Sequence, residues 1–414
     1  MRSMMSRLLD IRMLWFLMPL WGNLIFLPML LSALITHPTR KLHRVVQIHI
    51  VLGVIFFTYF TVRGLIALPD TGLDHAVSRI LPVLVIPLIL WLRPPDTRHA
   101  IDLRIVAVVP FVACFFAWLE LQLVFRIWRA SLLAGNPLFL SPAMTPLVYL
   151  NFFLAMRAKR LPDTVLHYAG GCVALFVIGV QAGSRSSFAV AVGAIILLLI
   201  WTVFSWRRGK QGQHVVRHAG AILAVLVIGL FAVVTFGPNT ARITQSLLHM
   251  GDVIAENARM QMWIAGAEAI RDQPWFGYGP QNRWAALETY IAPELFAVNV
   301  SHPHNLIITY GVSGGVVGII VGLAYILVPS ITALFSRRFT ADDKVLFALG
   351  ASTVFIFGLA NYVLFEGYMA VVTTLTLIGP YYLLVGAKDN KYHWPTSKPD
   401  TALASGKTDH LMPQ

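Results

Sequence analysis

The chain has 414 residues, of which 57% are hydrophobic and only 12% charged, and its mean hydropathy is +0.70. So little charge over this length excludes an ordinary water-soluble globular protein, which would alternate apolar with polar positions. A net charge of +13 would point to nucleic acid in a soluble chain, but here its placement traces topology across a membrane.

In chain order, apolar blocks near the ~20 residues a helix needs to cross a bilayer fall at 13–35, 45–68, 76–92, 105–125, 138–156, 163–182, 188–206, 217–236, 305–334, 344–365 and 368–386. None has the short alternating pattern of a membrane barrel. The first block lacks a small-residue cleavage site and reads as a retained segment rather than a signal peptide. Pro19, Gly22 and Pro28 break it into two short, bent spans. The expected fold is therefore an all-α polytopic membrane protein with about twelve transmembrane helices, or eleven if that block is one span.

Most of the 32 Lys and Arg lie in alternate loops, such as Arg40, Lys41 and Arg44, or Arg157, Lys159 and Arg160, or Arg337 and Arg338. The positive-inside tendency makes these loops cytoplasmic. Residues 237–304 then face the other side. The expected organisation is a transmembrane bundle over 1–236, an outer loop domain over 237–304, further transmembrane helices over 305–386 and a disordered cytoplasmic tail over 387–414. Cys114 and Cys172 fall inside spans and read as packing residues.

Two arginines and one histidine stand out along this course. Arg185 sits in the short outer turn Gly183-Ser184-Arg185-Ser186-Ser187 between two spans, where a cation at membrane depth is costly unless it is paired, functional or snorkelling. In the outer loop, Asn257 is positioned to cap a helix through Arg259, Trp263, Ala267 and Ile270, which ends in the turn Gln273-Pro274-Trp275-Phe276-Gly277-Tyr278-Gly279-Pro280. Arg259 and Trp263 share a helix face, as an interfacial Arg–Trp pair or as a phosphate-binding Arg with its support. The loop closes on Ser301-His302-Pro303-His304-Asn305, with Asn305 a good cap for the apolar helix that follows. A helix N-terminus and nearby arginines both disfavour imidazolium, so His304 is expected to be neutral and able to serve as a general base. Gly311 with Gly315, and Gly314 with Gly318, are small pairs that permit close helix packing.

His302 reads as a supporting or packing residue. Glu366 either orients His304 or is a simple turn carboxylate. Glu120, inside a span, has Arg63 and Arg126 as candidate partners, and Arg63, Arg126 and Arg129 are candidate contacts for acceptor phosphates. His302 and His304 with Glu288, Glu294 or Glu366 offer a conceivable metal set, but the outer loops contain no Asp-x-Asp, and the expectation is no metal and no cofactor. No phosphate-cradling Gly-x-x-x-x-Gly-Lys pattern is present, so no nucleotide is expected either.

His304-Asn305, then nine residues, then Gly315-Val316-Val317-Gly318 resembles the signature of the O-antigen ligase family, within the wider O-antigen ligase/polymerase superfamily. The turn at Gly183–Ser187 resembles the superfamily's arginine turn, and Arg259, Trp263, Pro274, Gly277 and Gly279 resemble its outer-loop pattern. The likeness is strong over about 180–320, whereas earlier spans match in topology alone. It implies a GT-C-like, inverting glycosyltransferase of the Gram-negative inner membrane, with its active site facing the periplasm. The implied donor is an undecaprenyl-diphosphate-linked O-antigen and the implied acceptor lipid A–core oligosaccharide, among membrane lipids and without nucleic acid. His304 would be the base, Arg185 and Arg259 the diphosphate contacts, and His302, Asn305, Trp263 and Glu366 their support. The rival readings are an O-antigen polymerase, a protein O-oligosaccharyltransferase and, outside enzymes, a lipid-linked glycan flippase.

Overall fold

The computed structural model describes residues 44–67, 81–84, 102–123, 130–132, 137–207, 258–291, 303–337, 339–361, 364–365 and 367–385, with Leu20 and scattered positions between 218 and 235. The apolar blocks at 13–35, 76–92 and 217–236 lie wholly or largely outside these residues, as does the tail. Among the described residues the elements are helical. They are α1 (Arg44–Ala67), α2 (Arg104–Leu123), α3 (Pro137–Arg157), α4 (Leu161–Phe176) with a π-helical turn at Val177–Gln181, α5 (Arg185–Arg207), α6 (Ala258–Asp272), α7 (Arg283–Glu288), α8 (Leu306–Phe335), α9 (Ala341–Ala360) and α10 (Gly367–Val385).

Six of the described helices are long and apolar enough to cross a membrane: α1, α2, α4 with its π turn, α5, α8 and α9. Their outward faces carry Val51, Ile55, Phe115, Trp118, Ile200 and Ile320, all exposed. Large apolar side chains exposed at this density suit lipid rather than water. The protein is an all-α polytopic membrane protein.

Helix α3 is the axis of the bundle. Every residue from Leu140 to Ala155 is buried, and α2, α4, α5, α9 and α10 pack around it. A helix apolar on all sides suits either lipid or the interior of a bundle, and α3 takes the interior. Its polar residues stay inside because they find partners. Asn151 Nδ2 donates to the carbonyls of Val106 and Leu147, each at 2.8 Å, and Asn151 Oδ1 lies 2.9 Å from His167 Nδ1.

At the end of the bundle remote from His304, part of the basic excess is structural. Arg104 Nε lies 2.6 Å from the buried carboxylate of Asp163, and Arg157 pairs with Asp342. Thr340 and Asp343 form a reciprocal capping box at the start of α9.

The block 305–334 reads in sequence as one continuous span, but α8 is broken. Gly315 has φ 62° and ψ −159°, outside helical space, so α8 is two half-helices meeting end to end. The glycine pairs serve different partners accordingly. Gly314 and Gly318 allow Phe60 of α1 to approach, as close packing requires, and Gly311 is pressed against Ile270 of α6. Gly315 is not a packing glycine but the break itself.

Candidate active site

The break in α8 is filled by the outer loop. After α6, residues Pro274–Gly279 turn into the gap and complete its hydrogen bonding. The amides of Tyr278 and Gly279 donate to the carbonyls of Val312 (2.8 Å) and Ser313 (2.9 Å), which end the first half-helix. The amides of Val316 and Val317, which begin the second, donate to the carbonyls of Pro274 (2.7 Å) and Trp275 (3.4 Å). A broken helix inside a bilayer is tolerated only when such groups find protein partners, and this turn supplies them.

Sequence accounts for the fit. Gly277 (φ 59°) and Gly279 (φ 91°) adopt conformations that favour glycine, and a Cβ on Gly277 would lie 2.5 Å from Val312 O. Two side chains of α1 lock the splice. Tyr59 donates to Gly314 O at 2.5 Å, while Arg63 donates from Nε to Phe276 O (2.8 Å) and from Nη2 to Gly277 O (2.7 Å). Arg63 also lies over the Phe276 ring at 5.8 Å.

Two earlier expectations change here. Arg63, a candidate phosphate contact, has two donors on loop carbonyls, which accounts for a guanidinium at this depth. Glu120 pairs with neither Arg63 nor a described arginine. Its carboxylate accepts from Ser131 N (2.9 Å), Ser131 Oγ (2.8 Å) and Leu132 N (2.8 Å).

Helix α6 rests on the first half of α8 through Met262, Ala265 and Ala269, which cluster with Leu287 of α7 and Val312 of α8. Its Trp263 donates from Nε1 to Pro303 O at 2.7 Å and so holds the peptide just before His304. Asn305 then caps α8, its Oδ1 accepting from Ile307 N (2.9 Å) and Ile308 N (3.2 Å), as the sequence predicts. Its Nδ2 reaches across to Leu359 O at 3.3 Å. His304, between these anchors, has φ 49°. A non-glycine residue in left-handed space is uncommon and persists where its surroundings over-determine it, often at functional sites.

The arginine turn is built from the other side. The π turn after α4 lets Ala182 N reach Val177 O at 2.8 Å, and Gly183 (φ 59°) reverses the chain. Ser184 then caps α5 through Ser187 N at 3.4 Å, which makes the exposed Arg185 the first residue of that helix. Arg185 and the positive end of the α5 dipole thus coincide. Buried Asn361, just past α9, donates from Nδ2 to Ser186 Oγ at 3.1 Å.

Arg259 lies within electrostatic reach of both His304 and Arg185. His304 is depressed from 6.5 to about 4, first by burial and then by the charge of Arg259. Arg259 is itself lowered, first by burial and then by the charge of Arg185. His304 is neutral at physiological pH and feels the charge of Arg259, which in turn feels that of Arg185. Such a group can bind a dianion and accept a proton next to it. Among the described residues, no group of three or more His, Cys, Asp or Glu that could hold a metal ion comes together. His302, Glu366, Arg126, Arg129 and Asn257 lie outside the described residues.

Sequence reasoning missed two contributors. Asn361 is a polar residue inside the apolar block 344–365, and a buried amide there signals a side-chain partner. Tyr59 gave no signal, because an aromatic within a span usually reads as packing.

Comparison with known proteins agrees with the motif reading. Residues 170–323 match the O-antigen ligase family model, a stretch that includes Arg185, Arg259, His304 and the break at Gly315. A general O-oligosaccharyltransferase of Acinetobacter baylyi is 26% identical over 212 residues, which cover 49% of this chain and 35% of that protein. The chain thus spans about a third of the length of that relative.

Proposed function

We propose that this chain transfers a glycan from a polyprenyl diphosphate, undecaprenyl diphosphate in a bacterial inner membrane, to lipid A–core oligosaccharide on the periplasmic face. The observation that carries the reading is that Arg259 sits within electrostatic reach of Arg185 on one side and of a neutral His304 on the other.

A hydroxyl of the acceptor attacks the anomeric carbon of the donor's first sugar. The new carbon–oxygen bond forms as the bond from that carbon to the diphosphate oxygen breaks, which inverts the centre. The hydroxyl proton passes to His304, and the electron pair of the broken bond leaves with the polyprenyl diphosphate. That leaving group carries its charge without needing a proton, so the electrostatic contacts of Arg185 and Arg259 matter most. His304 needs no protonation change before it acts, because it is already neutral. Trp263 and Asn305 fix its backbone on both sides, and Asn361 fixes the turn bearing Arg185. These roles require neither nucleotide nor metal.

A second acceptor class is supported by the likeness to a general O-oligosaccharyltransferase. In that reading the same donor site serves a protein hydroxyl. Elongation of one lipid-linked glycan by another is the third use of the same donor site.

The test is reconstitution of purified protein with polyprenyl-diphosphate glycan and one of three acceptors: rough lipopolysaccharide, a Ser-bearing acceptor protein, or more donor. Glycan-bearing lipopolysaccharide formed without nucleotide triphosphate or divalent metal is the expected product. Glycoprotein alone, or lengthened lipid-linked glycan alone, would replace the ligase reading with the corresponding alternative. Loss of transfer with chelator, restored by a metal ion, would overturn the metal-free account.

A further inference from the structure

The turn that carries Arg185 is held at Ser186 by Asn361. The chain enters that turn from the π turn after α4, and this side is gripped from α2. Gln181 ends the π turn and stands four residues before Arg185. The last carbonyls of a helix have no partner within it. Gln181 O finds one in Ala130 N at 2.8 Å, and Gln181 Nε2 donates to Cys114 O of α2 at 3.0 Å. Ala130 and Gln181 are both buried, which makes loss of either partner costly.

Ala130 is fixed in turn through its neighbours by Glu120, in the last turn of α2. Two consecutive amides, Ser131 N at 2.9 Å and Leu132 N at 2.8 Å, converge on Glu120 Oε2, while Ser131 Oγ donates to Oε1 at 2.8 Å. Consecutive amides that meet on one oxygen form a nest for an anion, and here the anion is a side chain of α2. Leu132 has φ 49°, and among the described residues it and His304 are the two non-glycine residues with positive φ. Such strain persists where the surroundings over-determine it. At Leu132 the Glu120 carboxylate is that constraint. A carboxylate in an apolar span is costly, and this one is directed at the strap between α2 and α3.

We propose that Glu120 is a positioning residue for donor binding: through residues 130–132 and Gln181 it fixes the depth and heading of the Arg185 turn. The inference rests on the glycan-transfer reading, in which Arg185 contacts the donor diphosphate, and deepens it. Bidentate contact needs the guanidinium plane to meet two oxygens at once, so a displacement of about 1 Å in the turn is felt as lost affinity. The competing account is a carboxylate acting on the diphosphate by its charge alone. Glu120→Gln separates the two. Glutamine keeps one oxygen for both amides and can donate its own amide to Ser131 Oγ, so it preserves the strap and removes the charge.

The experiment measures binding of sugar-free undecaprenyl diphosphate to purified protein, with melting temperature and transfer alongside. The variants are Glu120→Ala, Glu120→Gln, Arg185→Ala and the double variant of Glu120→Ala with Arg185→Ala. Glu120→Ala should weaken binding about tenfold, as loss of one charge-assisted contact does, and Glu120→Gln should recover most of it. In the Arg185→Ala background, Glu120→Ala should weaken binding no further, while its loss of melting temperature is the same in both backgrounds. A merely structural residue would not give that split.

Unchanged binding by folded Glu120→Ala, or equal losses in the two backgrounds, overturns the proposal. So does a Glu120→Gln defect as large as that of alanine, which would assign the effect to charge. If Glu120→Ala does not fold, Ser131→Ala loses the hydroxyl bond, keeps both amides and carries the same cycle with an effect of about threefold. Additivity with Arg185→Ala is again the overturning result. Wild type that does not bind the probe removes both the proposal and the reading beneath it. Failure of transfer with every acceptor, beside an intact binding cycle, would instead sink the glycan-transfer reading and leave Glu120 in its role.

Discussion

Asn361 and Ser186 are joined side chain to side chain, Nδ2 to Oγ at 3.1 Å, across 175 positions of sequence. The same end of α9 also accepts Asn305 Nδ2 at Leu359 O. One helix terminus therefore holds both the turn that presents Arg185 and the cap that follows His304. The separation of the proposed base from one proposed diphosphate contact is set by α9 rather than by either loop.

Asn361→Ala should accordingly raise the donor KM several-fold and lower kcat, with little loss of thermal stability. One hydrogen bond contributes about 1 kcal/mol. Ser186→Ala should give a similar defect, and the double variant should be little worse than either single one, because both remove the same contact. Additive losses in that cycle would show that the two side chains act separately.

The membrane class, the helix α6 in the outer loop and the cap at Asn305 are legible in sequence, because each rests on a local pattern. Apolar block length marks spans, and Pro303-His304-Asn305 ahead of an apolar run marks a helix start. The break at Gly315 is not legible in that way. Glycines within a span have the same spacing whether they pack against a neighbouring helix or interrupt their own. Only the partner turn at Pro274–Gly279, some forty residues earlier, decides between them. For Glu120 the sequence offers arginines as partners, whereas its partners among the described residues are two amides and a hydroxyl, and Arg126 lies outside them.

Gly315→Ala and Gly277→Ala should each destabilise the protein by about 3 kcal/mol or more, since each combines a left-handed φ with backbone against the new Cβ. Gly193→Ala, a helical position with open space around it, should be neutral or slightly stabilising. Thermal unfolding in detergent measures all three. Equal melting temperatures across the set would contradict the splice of loop and broken helix.

Lysine substitutions should separate the three arginines by role. Arg63→Lys loses the fork that spans two carbonyls, so melting temperature should fall while donor KM stays near wild type. Arg185→Lys and Arg259→Lys keep the charge but lose bidentate contact, so transfer should fall by about tenfold or more with stability retained. An active Arg185→Lys enzyme would reduce that residue to generic charge at the membrane surface.

The depressed titration of His304 predicts how the pH profile should change on donor binding. Burial and then Arg259 lower it from 6.5 to about 4 in the free protein. The base is therefore neutral across physiological pH, and kcat/KM should lose activity only as pH falls toward about 4. A bound diphosphate sets negative charge against Arg259 and so cancels part of the second cause, which moves His304 upward in the complex. The acid limb of kcat should accordingly lie at higher pH than that of kcat/KM. Arg259→Gln should narrow the gap by raising the free-enzyme value, though burial, the larger cause, keeps it below 6.5. The stability sign follows from the same shift. The unfolded chain binds a proton here more readily than the folded one, so stability should fall as pH drops from 6.5 toward 4, and His304→Gln should remove that part of the slope. An acid limb of kcat lying below that of kcat/KM would rule out His304 as the base beside the diphosphate.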